Sequence, residues 1–495
     1  MEALTSFFKS VLQSSSSTTD TADKDDQQSQ QRQQDGPLLW QPEIPLSKEP
    51  SESWVTMTEL VLPSHCDSRG YCLGGTVLSW IDIAAGIAAK KHGVYPAVTR
   101  CVDAVHFLGP ITTKNIVIIQ ACVNRAWKTS MEVGVRVMTE DLLSADRRYC
   151  CHAYLTFVAL PQPPLATLTT SPTSQRQAQK QQEQQDSAAV KAALVNSPAA
   201  RRYSFSLPSA NKSGSKSDGH SANNQRKIQL PAIEPITHVE IERYTLAQSR
   251  REARLLQASG ESKLEEDQLL SDVRDQMRHW NVSQINHPRT QKLPPSLVDG
   301  SPQIAMQATF AESAQLVLPQ HANSLSITFG GQVMKWMENV AAVSASRFAR
   351  VPIVTASIDS LQFHRKTMIG DCLTMRSVVT RVFRSSMEIY VFVDSENLVT
   401  GKQTFTNEAF FSMVALQPSP SLSPIKTSLP TLFAASDLER SLSEAGEKRR
   451  LGRLQQRREL VEREMRGVLQ TPTVERDEHS LRVVDHGVLH HTHAE

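Results

Sequence analysis

The chain contains one stretch of sequence twice, and this duplication constrains its fold more than any other feature. HCDSRGYCLGGTVLSWIDIAAGIAAKK at residues 65–91 returns as HANSLSITFGGQVMKWMENVAAVSASR at residues 321–347, with an offset of 331 − 75 = 256. The register holds beyond this stretch, for example from Thr99 to Thr355. A period this long indicates a duplicated domain. Two copies of one fold should pack as a pseudo-twofold pair, so functional residues are expected to face each other across the two halves.

Charge and cysteine content exclude several classes of protein. The chain has 53 basic and 51 acidic side chains, so no overall field would recruit nucleic acid, and we expect no nucleic-acid partner. No run approaches the ~20 apolar residues that span a bilayer, so we expect no membrane span. Seven cysteines without C-x-x-C spacing predict a reduced intracellular compartment, with no disulfide framework and no metal site. A cytoplasmic location is predicted; the N-terminus matches a mitochondrial presequence only weakly, and that location is the alternative.

Polar low-complexity segments divide the chain into domains. They also explain its low apolar fraction, 39%, because they dilute two ordinary cores. We predict a disordered N-terminal arm (1–48), a first domain (52–163), a low-complexity linker (164–237), a docked helical segment (238–281), a second copy of the domain (306–418), a C-terminal helix (438–467) and a disordered tail (468–495).

The sequence of each repeat predicts a strand, a loop, one apolar helix and then several strands. SMEVGVRV at residues 130–137 alternates with period two, which is typical of a half-buried strand. One helix followed by antiparallel strands predicts an α+β unit, with a curved sheet wrapped around the helix. The Gly-Gly pairs at 74–75 and 330–331 are expected to let the chain turn tightly into the helix and to expose its first amide donors.

The apolar helix of each repeat carries a carboxylate at its centre. Asp82 lies between Ile81 and Ile83, and Glu338 occupies the matching place in the second repeat. Acidic side chains are rarely buried unless they are paired or functional. A narrow polar stripe facing water is the alternative, but the recurrence at the same depth favours a functional pair.

These residues resemble a known family. A loop with Asn323, then Gly-Gly opening a helix and a carboxylate seven residues later, resembles the hotdog-fold acyl-CoA thioesterases. The tandem arrangement, FGGQVMKWMENVAA, VTASID and SMEI resemble the two-repeat eukaryotic acyl-CoA thioester hydrolases, particularly the cytosolic type that can also carry a START domain. We expect no START domain here, because no segment of that size follows residue 470.

The resemblance implies two tandem hotdog domains packed as an intramolecular pseudo-dimer. It also implies hydrolysis of fatty acyl-CoA to free fatty acid and CoA. Coenzyme A is then part of the substrate, and no other cofactor is expected. A homotrimer of such pairs is implied as well. The alternative function is a non-catalytic acyl-CoA-binding sensor or scaffold. An enoyl-CoA hydratase is disfavoured, because neither His65 nor His321 has the spacing to an aspartate that this chemistry uses.

The resemblance also pairs the carboxylate of one repeat with the asparagine loop of the other, so Asp82 should act with Asn323. At ~1.5 Å per residue, Gly75 lies roughly 10 Å from Asp82 along the helix, so the amide near Asp82 should come from Gly331. We predict that Asp82 is the general base or nucleophile and that Asn323 orients water or the intermediate. The Gly331 N–H would hold the oxyanion.

A degenerate second site is predicted where the mirror-image residues meet. It would combine Glu338, Asp67 and Gly75. Two carboxylates should repel, so that one takes up a proton and the site is weak or inactive. The active loop has one irregularity of its own, because Ser326 stands where the first repeat has Gly70. If that position needs a positive φ, the loop with Asn323 should be strained.

The resemblance also implies that coenzyme A lies along the strands, and two basic clusters are further candidates for contact with it. The hydroxyl candidates, each of which could equally be an ordinary strand residue, are Thr129, Ser130, Thr355, Ser357, Ser385 and Ser386. On the docked helices, Arg250 and Arg254 form one cluster, and Arg449 with Arg453 forms a similar one. Either cluster could meet the CoA phosphates, although a solvated helix face is the favoured interpretation for both.

Overall fold

The computed structural model describes residues 45–93, 95–160, 228–259, 261–280, 303–417, 425–426, 429–465, 473–477 and 480–484. From Leu46 onward these residues belong to one compact unit. Most of the predicted N-terminal arm and most of the linker lie outside the described residues. The helices in the described part are α1 (Gly74–Gly93), α2 (His238–Ser259), α3 (Glu261–Arg278), α4 (Gly330–Ala349) and α5 (Asp437–Met465). None of these is long and apolar enough to cross a membrane.

The strands follow the same duplication. In chain order they are β1 (Ser47–Lys48), β2 (Val55–Leu60), β3 (Ala97–Val102), β4 (Val105–His106), β5 (Asn115–Ala126), β6 (Ser130–Asp141), β7 (Arg147–Ala159), β8 (Ala232–Ile233), β9 (Gln303–Ala305), β10 (Ala311–Leu316), β11 (Ile353–Ile358), β12 (Leu361–Gln362), β13 (Asp371–Val382), β14 (Ser386–Asn397), β15 (Lys402–Gln417), β16 (Ile425–Lys426), β17 (Thr431–Phe433), β18 (Thr473–Asp477) and β19 (Ser480–Val484).

Each repeat builds one antiparallel sheet, and each sheet borrows a short strand from the other repeat. The first sheet has the order β12-β3-β7-β6-β5-β2, and the second has the order β10-β13-β14-β15-β11-β4. Strand β4 of the first repeat pairs with β11, and β12 of the second repeat pairs with β3. The fold is therefore α+β with two tandem hotdog domains, as predicted, and the exchanged strands that join the two sheets are a further feature.

The central helices are buried because their apolar side chains meet the inner face of each sheet. Leu78 and Ile81 of α1 are fully buried. The apolar residues predicted for one face of β6 are confirmed there, since Met131, Val133 and Val137 are fully buried with this helix in one core. The prediction of a half-buried strand is wrong, because Glu132 on the other face has no exposed surface either. Full burial of an apolar side chain contributes about 1.5–3 kcal/mol, so the packing of helix on sheet dominates the stability of each domain.

The repeated unit is longer than the sequence predicts. Strands β1 and β8 pair in parallel, as do β9 and β17. Helices α2 and α5 also correspond, but with an offset of 437 − 238 = 199 instead of 256. Both begin with the same cap, in which a glutamate accepts backbone N–H groups before the helix. The two offsets differ because the connection after the first domain is longer, so the two helices do not align at the offset of the domains.

Three predicted boundaries are wrong. The end of the predicted disordered arm is structured, since Ser47 and Lys48 form β1 and gain backbone partners in β8 that lie far away in the sequence. Part of the predicted linker is structured, since Leu230 and Ile233 are buried against the first domain. Their apolar side chains find a surface there, which a composition-based reading overlooks. The predicted disordered tail contains the antiparallel strands β18 and β19. The register pairs Val474 with Val483, and β-branched residues favour strands even where the surrounding sequence is polar.

Helix α3 covers the outer face of the second sheet. Its Leu270, Val273 and Met277 pack with Phe310 and Tyr390 in a separate apolar cluster. Ion pairs from α3 to Glu408 and Asp394 of the sheet fasten it there. The predicted surface segment 238–281 is thus two helices, α2 on the first domain and α3 on the second.

Candidate active site at the seam of the two repeats

Asp82 is buried at the contact between the two central helices. Asp82 is only 3% exposed, and this excludes the alternative in which it faces water on a narrow polar stripe. The Thr99 hydroxyl donates a hydrogen bond to Oδ1 at 2.6 Å, and the Gly331 N–H donates to Oδ2 at 2.8 Å. Burial raises the pKa of Asp82, and the two hydrogen bonds oppose this rise. The donor set comes from both repeats, since Gly331 opens α4.

Glu338 has the mirror-image environment. The Gly75 N–H donates to Oε2 at 2.6 Å and the Thr355 hydroxyl donates to Oε1. Burial raises the pKa of Glu338 as well, against the effect of these donors. The structure therefore brings Asp82 together with Gly331, and Glu338 together with Gly75, as the helix geometry predicts. In both places the amide hydrogen is donated to the carboxylate itself.

The Gly-Gly pairs are needed for a different reason from the one predicted. Gly75 and Gly331 are already helical, so no tight turn requires them. Instead, the start of each helix touches the middle of the other. A Cβ on Gly331 would lie 2.7 Å from Ser79 Cα and 2.8 Å from Asp82 Cβ. A Cβ on Gly75 would lie 2.8 Å from Lys335 Cα. The glycines permit the close approach that places each amide on the opposite carboxylate.

Asn323 lies in a loop whose shape fixes which of its atoms is left for a ligand. Its Oδ1 accepts the N–H groups of Leu325 and Ile327 at 2.9 and 3.1 Å. Because two N–H donors identify this atom as the oxygen, the amide Nδ2 is the group that can donate to a bound molecule. The loop therefore offers a hydrogen-bond donor.

Asp67 adopts the same turn but offers no donor. Its Oδ1 accepts the N–H groups of Arg69 and Tyr71, and its Oδ2 accepts from the Arg69 guanidinium at 2.7 Å. The predicted repulsion between Asp67 and Glu338 is wrong as a cause, because Arg69 neutralises Asp67. The raised pKa of Glu338 comes from burial.

Ser326 confirms the expected backbone requirement. Its φ is 60°, and Gly70 at the matching position has a φ of 84°. A non-glycine residue in this region costs about 1–3 kcal/mol. The turn is nevertheless kept, since the Ser326 N–H donates to the Asn323 carbonyl at 2.9 Å as Gly70 does to Asp67. The serine strains this loop without reshaping it.

A histidine braces each loop against its helix, a feature that the sequence analysis missed. His321 meets Trp336 edge-on at 4.8 Å, and His65 meets Trp80 at 5.1 Å. His321 Nδ1 also accepts the Leu318 N–H, as His65 Nδ1 accepts the Leu62 N–H in the other loop. The recurrence of both residue types at the same offset is the signal that could have revealed it.

The chain shares its repeats with known proteins. The profile of the Thioesterase superfamily matches residues 69–145 and 325–402, one stretch in each repeat. An uncharacterized acyl-CoA thioester hydrolase of Bacillus subtilis is 36% identical over 118 residues, which are 24% of this chain and 69% of that protein. The chain belongs to the hotdog-fold acyl-CoA thioesterase family.

Longer relatives match both repeats. Acyl-coenzyme A thioesterase 11 of Mus musculus is 30% identical over 370 residues, 74% of this chain and 48% of that protein. The cytosolic acyl coenzyme A thioester hydrolase of Mus musculus is 24% identical over 407 residues, 80% of this chain and 82% of that protein. The chain spans about half the length of the first curated relatives that it matches. A solved apo-hexameric acyl-CoA thioesterase is 35% identical and covers 31% of this chain and 96% of its own, with a TM-score of 0.29.

A small cleft of this thioesterase-family fold lies at the mirror site. It has a volume of about 30 Å³, and its lining includes Asp67, Cys72, Gly74, Glu338 and Thr355. The structure thus brings Asp67 and Glu338 of the predicted second site to one opening, whereas Gly75 is not part of its lining. The cleft is about the size of one water molecule.

Thr99 is a residue of this site that the sequence analysis did not select. It hydrogen-bonds Asp82, and its counterpart Thr355, a predicted CoA contact, bonds Glu338. The CoA contact of Thr355 stays a prediction. The recurrence of the two threonines at the 256 offset was visible in the sequence. What the sequence could not show is that the strand places each hydroxyl beside the helix carboxylate of its own repeat.

The other candidate CoA contacts lie in varied places. Ser357 is 4% exposed within the second sheet. The remaining hydroxyls sit at two matching hairpins, where the N–H groups of Trp127 and Phe383 bond the carbonyls of Ser130 and Ser386. Thr129 is exposed there, and Ser385 is half-buried. These hairpin residues stay predictions.

The arginine clusters do not form solvated helix faces, and that interpretation is wrong. Arg250 makes two hydrogen bonds to Glu132, a carboxylate with no exposed surface. Arg254 bonds Asp103 at 2.7 Å. An unpaired buried carboxylate is strongly unfavourable, so these arginines hold α2 on the first sheet. Their predicted contact with CoA phosphates stays a prediction.

The second repeat copies this network. Arg449 and Arg453 both bond Glu388, and Arg453 also bonds Asp359 at 2.9 Å. Burial raises the pKa of Asp359 to about 6, although Arg453 lies beside it. The network therefore fastens the outer helix of each domain to the sheet that carries the site.

Proposed function

We propose that this chain hydrolyses acyl-CoA thioesters to a free acid and CoA. The observation that carries the proposal is the buried Asp82 carboxylate, held between the Thr99 hydroxyl and the Gly331 N–H at the contact of two repeats. Relatives named as acyl-CoA thioesterases supply the substrate class. In this proposal no metal or cofactor takes part.

The first step uses Asp82 as a general base. Ionised Asp82 accepts a proton from a water molecule while the water oxygen attacks the thioester carbonyl carbon. The carbonyl oxygen becomes an oxyanion, and the Gly331 N–H and the Asn323 side-chain amide are its donors. Before the substrate binds, the Gly331 N–H donates its hydrogen bond to Asp82. As negative charge develops on the carbonyl oxygen, this N–H donates increasingly to the oxyanion instead.

The second step expels the thiol. The tetrahedral intermediate collapses, the carbon–sulfur bond breaks, and the proton held by Asp82 passes to the leaving sulfur. The products are the free acid and CoA, and Asp82 returns to its ionised state. Burial serves this cycle because the raised pKa of Asp82 makes the carboxylate a stronger base than an exposed aspartate. Direct nucleophilic attack by Asp82 is the alternative route to the same products.

We propose one working site in each chain. The mirror site has a carboxylate and an amide donor, but Asp67 stands where the working site has Asn323. Both oxygens of Asp67 are already bonded, and Arg69 neutralises its charge. Without a side-chain donor at that position, a developing oxyanion would lose one of its two hydrogen bonds. A removed oxyanion donor costs about 10²–10³ in kcat.

Three further expectations complete the proposal; two rest on the family resemblance, and the location rests on the cysteine content. They are a homotrimer of these intramolecular pairs, a cytoplasmic location and fatty acyl chains as the acid part of the substrate. The hairpins with Thr129 and Ser385 are the places where we expect the CoA part to lie.

The proposal is tested by thiol release from a panel of acyl-CoA substrates from acetyl-CoA to stearoyl-CoA, with CoA binding measured calorimetrically on the same protein. Turnover of at least one substrate is expected. Tight CoA binding without turnover of any substrate would contradict the proposal and favour the non-catalytic sensor.

A further inference from the structure

Two cysteines face each other across the stem of the Asp67 loop, the paired segments 65–67 and 71–73 at its two ends. Cys66 and Cys72 are partners in an antiparallel bridge. The hydrogen bonds flank the pair on both sides: Asp67 N–H donates to the Tyr71 carbonyl at 2.8 Å, and Leu73 N–H donates to the His65 carbonyl at 3.0 Å. The two cysteines therefore form a non-hydrogen-bonded pair, in which the Cα atoms are about 4.5 Å apart and the side chains are close.

This geometry suits a disulfide. Disulfides join Cα atoms that are about 4.4–6.8 Å apart, so the stem needs no backbone movement to close one. The two thiols also lie close enough to influence each other, since the Cys72 thiol opposes the rise that burial causes in the pKa of Cys66. Both cysteines are free and half-buried, so a small reagent can reach the pair.

The second repeat shows that the fold itself does not require this pair. The same bridge is formed there by Ala322 and Thr328. The stem therefore closes through its backbone hydrogen bonds without any thiol. The cysteines are a feature of the mirror site alone, and the active loop with Asn323 lacks them.

We propose that Cys66 and Cys72 are a redox modification site that closes to a disulfide by exchange with a low-molecular-weight disulfide such as glutathione disulfide. The more accessible Cys66, as its thiolate, attacks one sulfur of the reagent and releases one glutathione. The Cys72 thiolate then attacks the mixed disulfide at the Cys66 sulfur and releases the second glutathione. Two protein thiols are oxidised, one disulfide is reduced to two glutathione thiols, and the protons of the cysteines end on those thiols.

The surroundings of the two thiols determine how fast the disulfide forms and which part of the site it constrains. Burial raises the pKa of both thiols, so thiolate is scarce at neutral pH and the exchange is slow there. Once formed, the disulfide ties together the two ends of the turn that carries Asp67 and Arg69. Since Cys72 also lines the cleft beside Glu338, closure fixes one wall of that cleft. The assignment does not depend on hydrolase activity.

The test treats the full chain with glutathione disulfide, or with dithiothreitol as the control, then blocks remaining thiols with an alkylating reagent and digests with trypsin. Trypsin cuts after Arg69, so Cys66 and Cys72 fall on different peptides and a link between them is seen directly by mass spectrometry. The expected result is this linked pair, with two fewer alkylated cysteines than in the control. Cys101 and Cys372, which are also half-buried and free, should form no internal link.

A variant without one of the two thiols tests the order of the exchange steps. In Cys72→Ser the resolving thiol is gone, so Cys66 should hold one glutathione as a stable mixed disulfide. Full alkylation of Cys66 and Cys72 after oxidant treatment would overturn the proposal. So would a link from Cys72 to Cys150, which lies near it in the core.

Discussion

Replacement of Thr99 by valine removes one hydrogen bond to Asp82 and little else. Valine has nearly the shape of threonine, and the lost hydroxyl donates to the buried Oδ1 at 2.6 Å. A hydrogen bond to a charged group contributes about 1.5–3 kcal/mol. This bond lowers the pKa of Asp82 against the effect of burial, so its loss raises that pKa further.

The sign of the pH effect follows from the role of the base. Asp82 accepts a proton only when it is ionised, and a higher pKa leaves less of it ionised at any acidic pH. With 1.36 kcal/mol for each factor of ten, the expected loss of kcat/KM on the acid side is roughly 10- to 150-fold. The acid limb of the profile should move to higher pH, and activity should recover at alkaline pH, where Asp82 is ionised in both proteins.

The assay is thiol release as a function of pH for wild type, Thr99→Val and Thr355→Val, with circular dichroism to confirm folding across the range. Thr355→Val makes the same change at Glu338 and should leave the profile unchanged. An unmoved acid limb in Thr99→Val would refute the reasoning, as would an equal shift in both variants.

Three further substitutions test other contacts. Asn323→Asp replaces the donor by an acceptor and should lower kcat by about 10²–10³, measured by steady-state kinetics. Gly331→Ala places a Cβ 2.7 Å from Ser79 Cα, so the helices must separate by about 1 Å to reach normal contact, and such a misplacement costs about 10² in rate. Arg250→Ala leaves the buried Glu132 poorly paired and should lower the free energy of unfolding by about 3–5 kcal/mol in urea denaturation.

Each of these has a result that contradicts it. Asp67→Asn alters the mirror loop and serves as the control for Asn323→Asp; equal losses in both would exclude a single working site. Unchanged kcat in Gly331→Ala would show that the close helix contact is not required. If Arg250→Ala lowers the free energy of unfolding by less than about 1 kcal/mol, the arginine network contributes no more than an ordinary surface ion pair.

The duplication made the main fold predictable. Because the repeats align without a gap, the strands and the helix predicted for one repeat apply to the other. The rise of the helix separates Gly75 from Asp82, and this led to the prediction that Gly331 lies near Asp82 instead. Burial of Asp82 was predictable too, since an apolar helix surrounds it. These inferences depend on local periodicity and on one distance along a helix, both of which a sequence shows directly.

The parts that failed depend on contacts between distant segments. The buried partners of Arg250 lie more than a hundred residues away, and a charged helix gives no local sign that its arginines are inside. The reason for Gly331 is its contact with the other helix, which no local pattern reveals. Arg69 neutralises Asp67 only because the turn folds its side chain back, so repulsion between Asp67 and Glu338 was inferred from charge alone.

The central claim is that one crossed site, built on Asp82, performs the hydrolysis. The most direct measurement compares thiol release by Asp82→Asn and Glu338→Gln on the best substrate of the wild type. The account predicts that Asp82→Asn loses about 10²–10⁴ in kcat and that Glu338→Gln keeps the wild-type rate. Loss of turnover in Glu338→Gln with retention in Asp82→Asn would contradict the account and assign the chemistry to the mirror site.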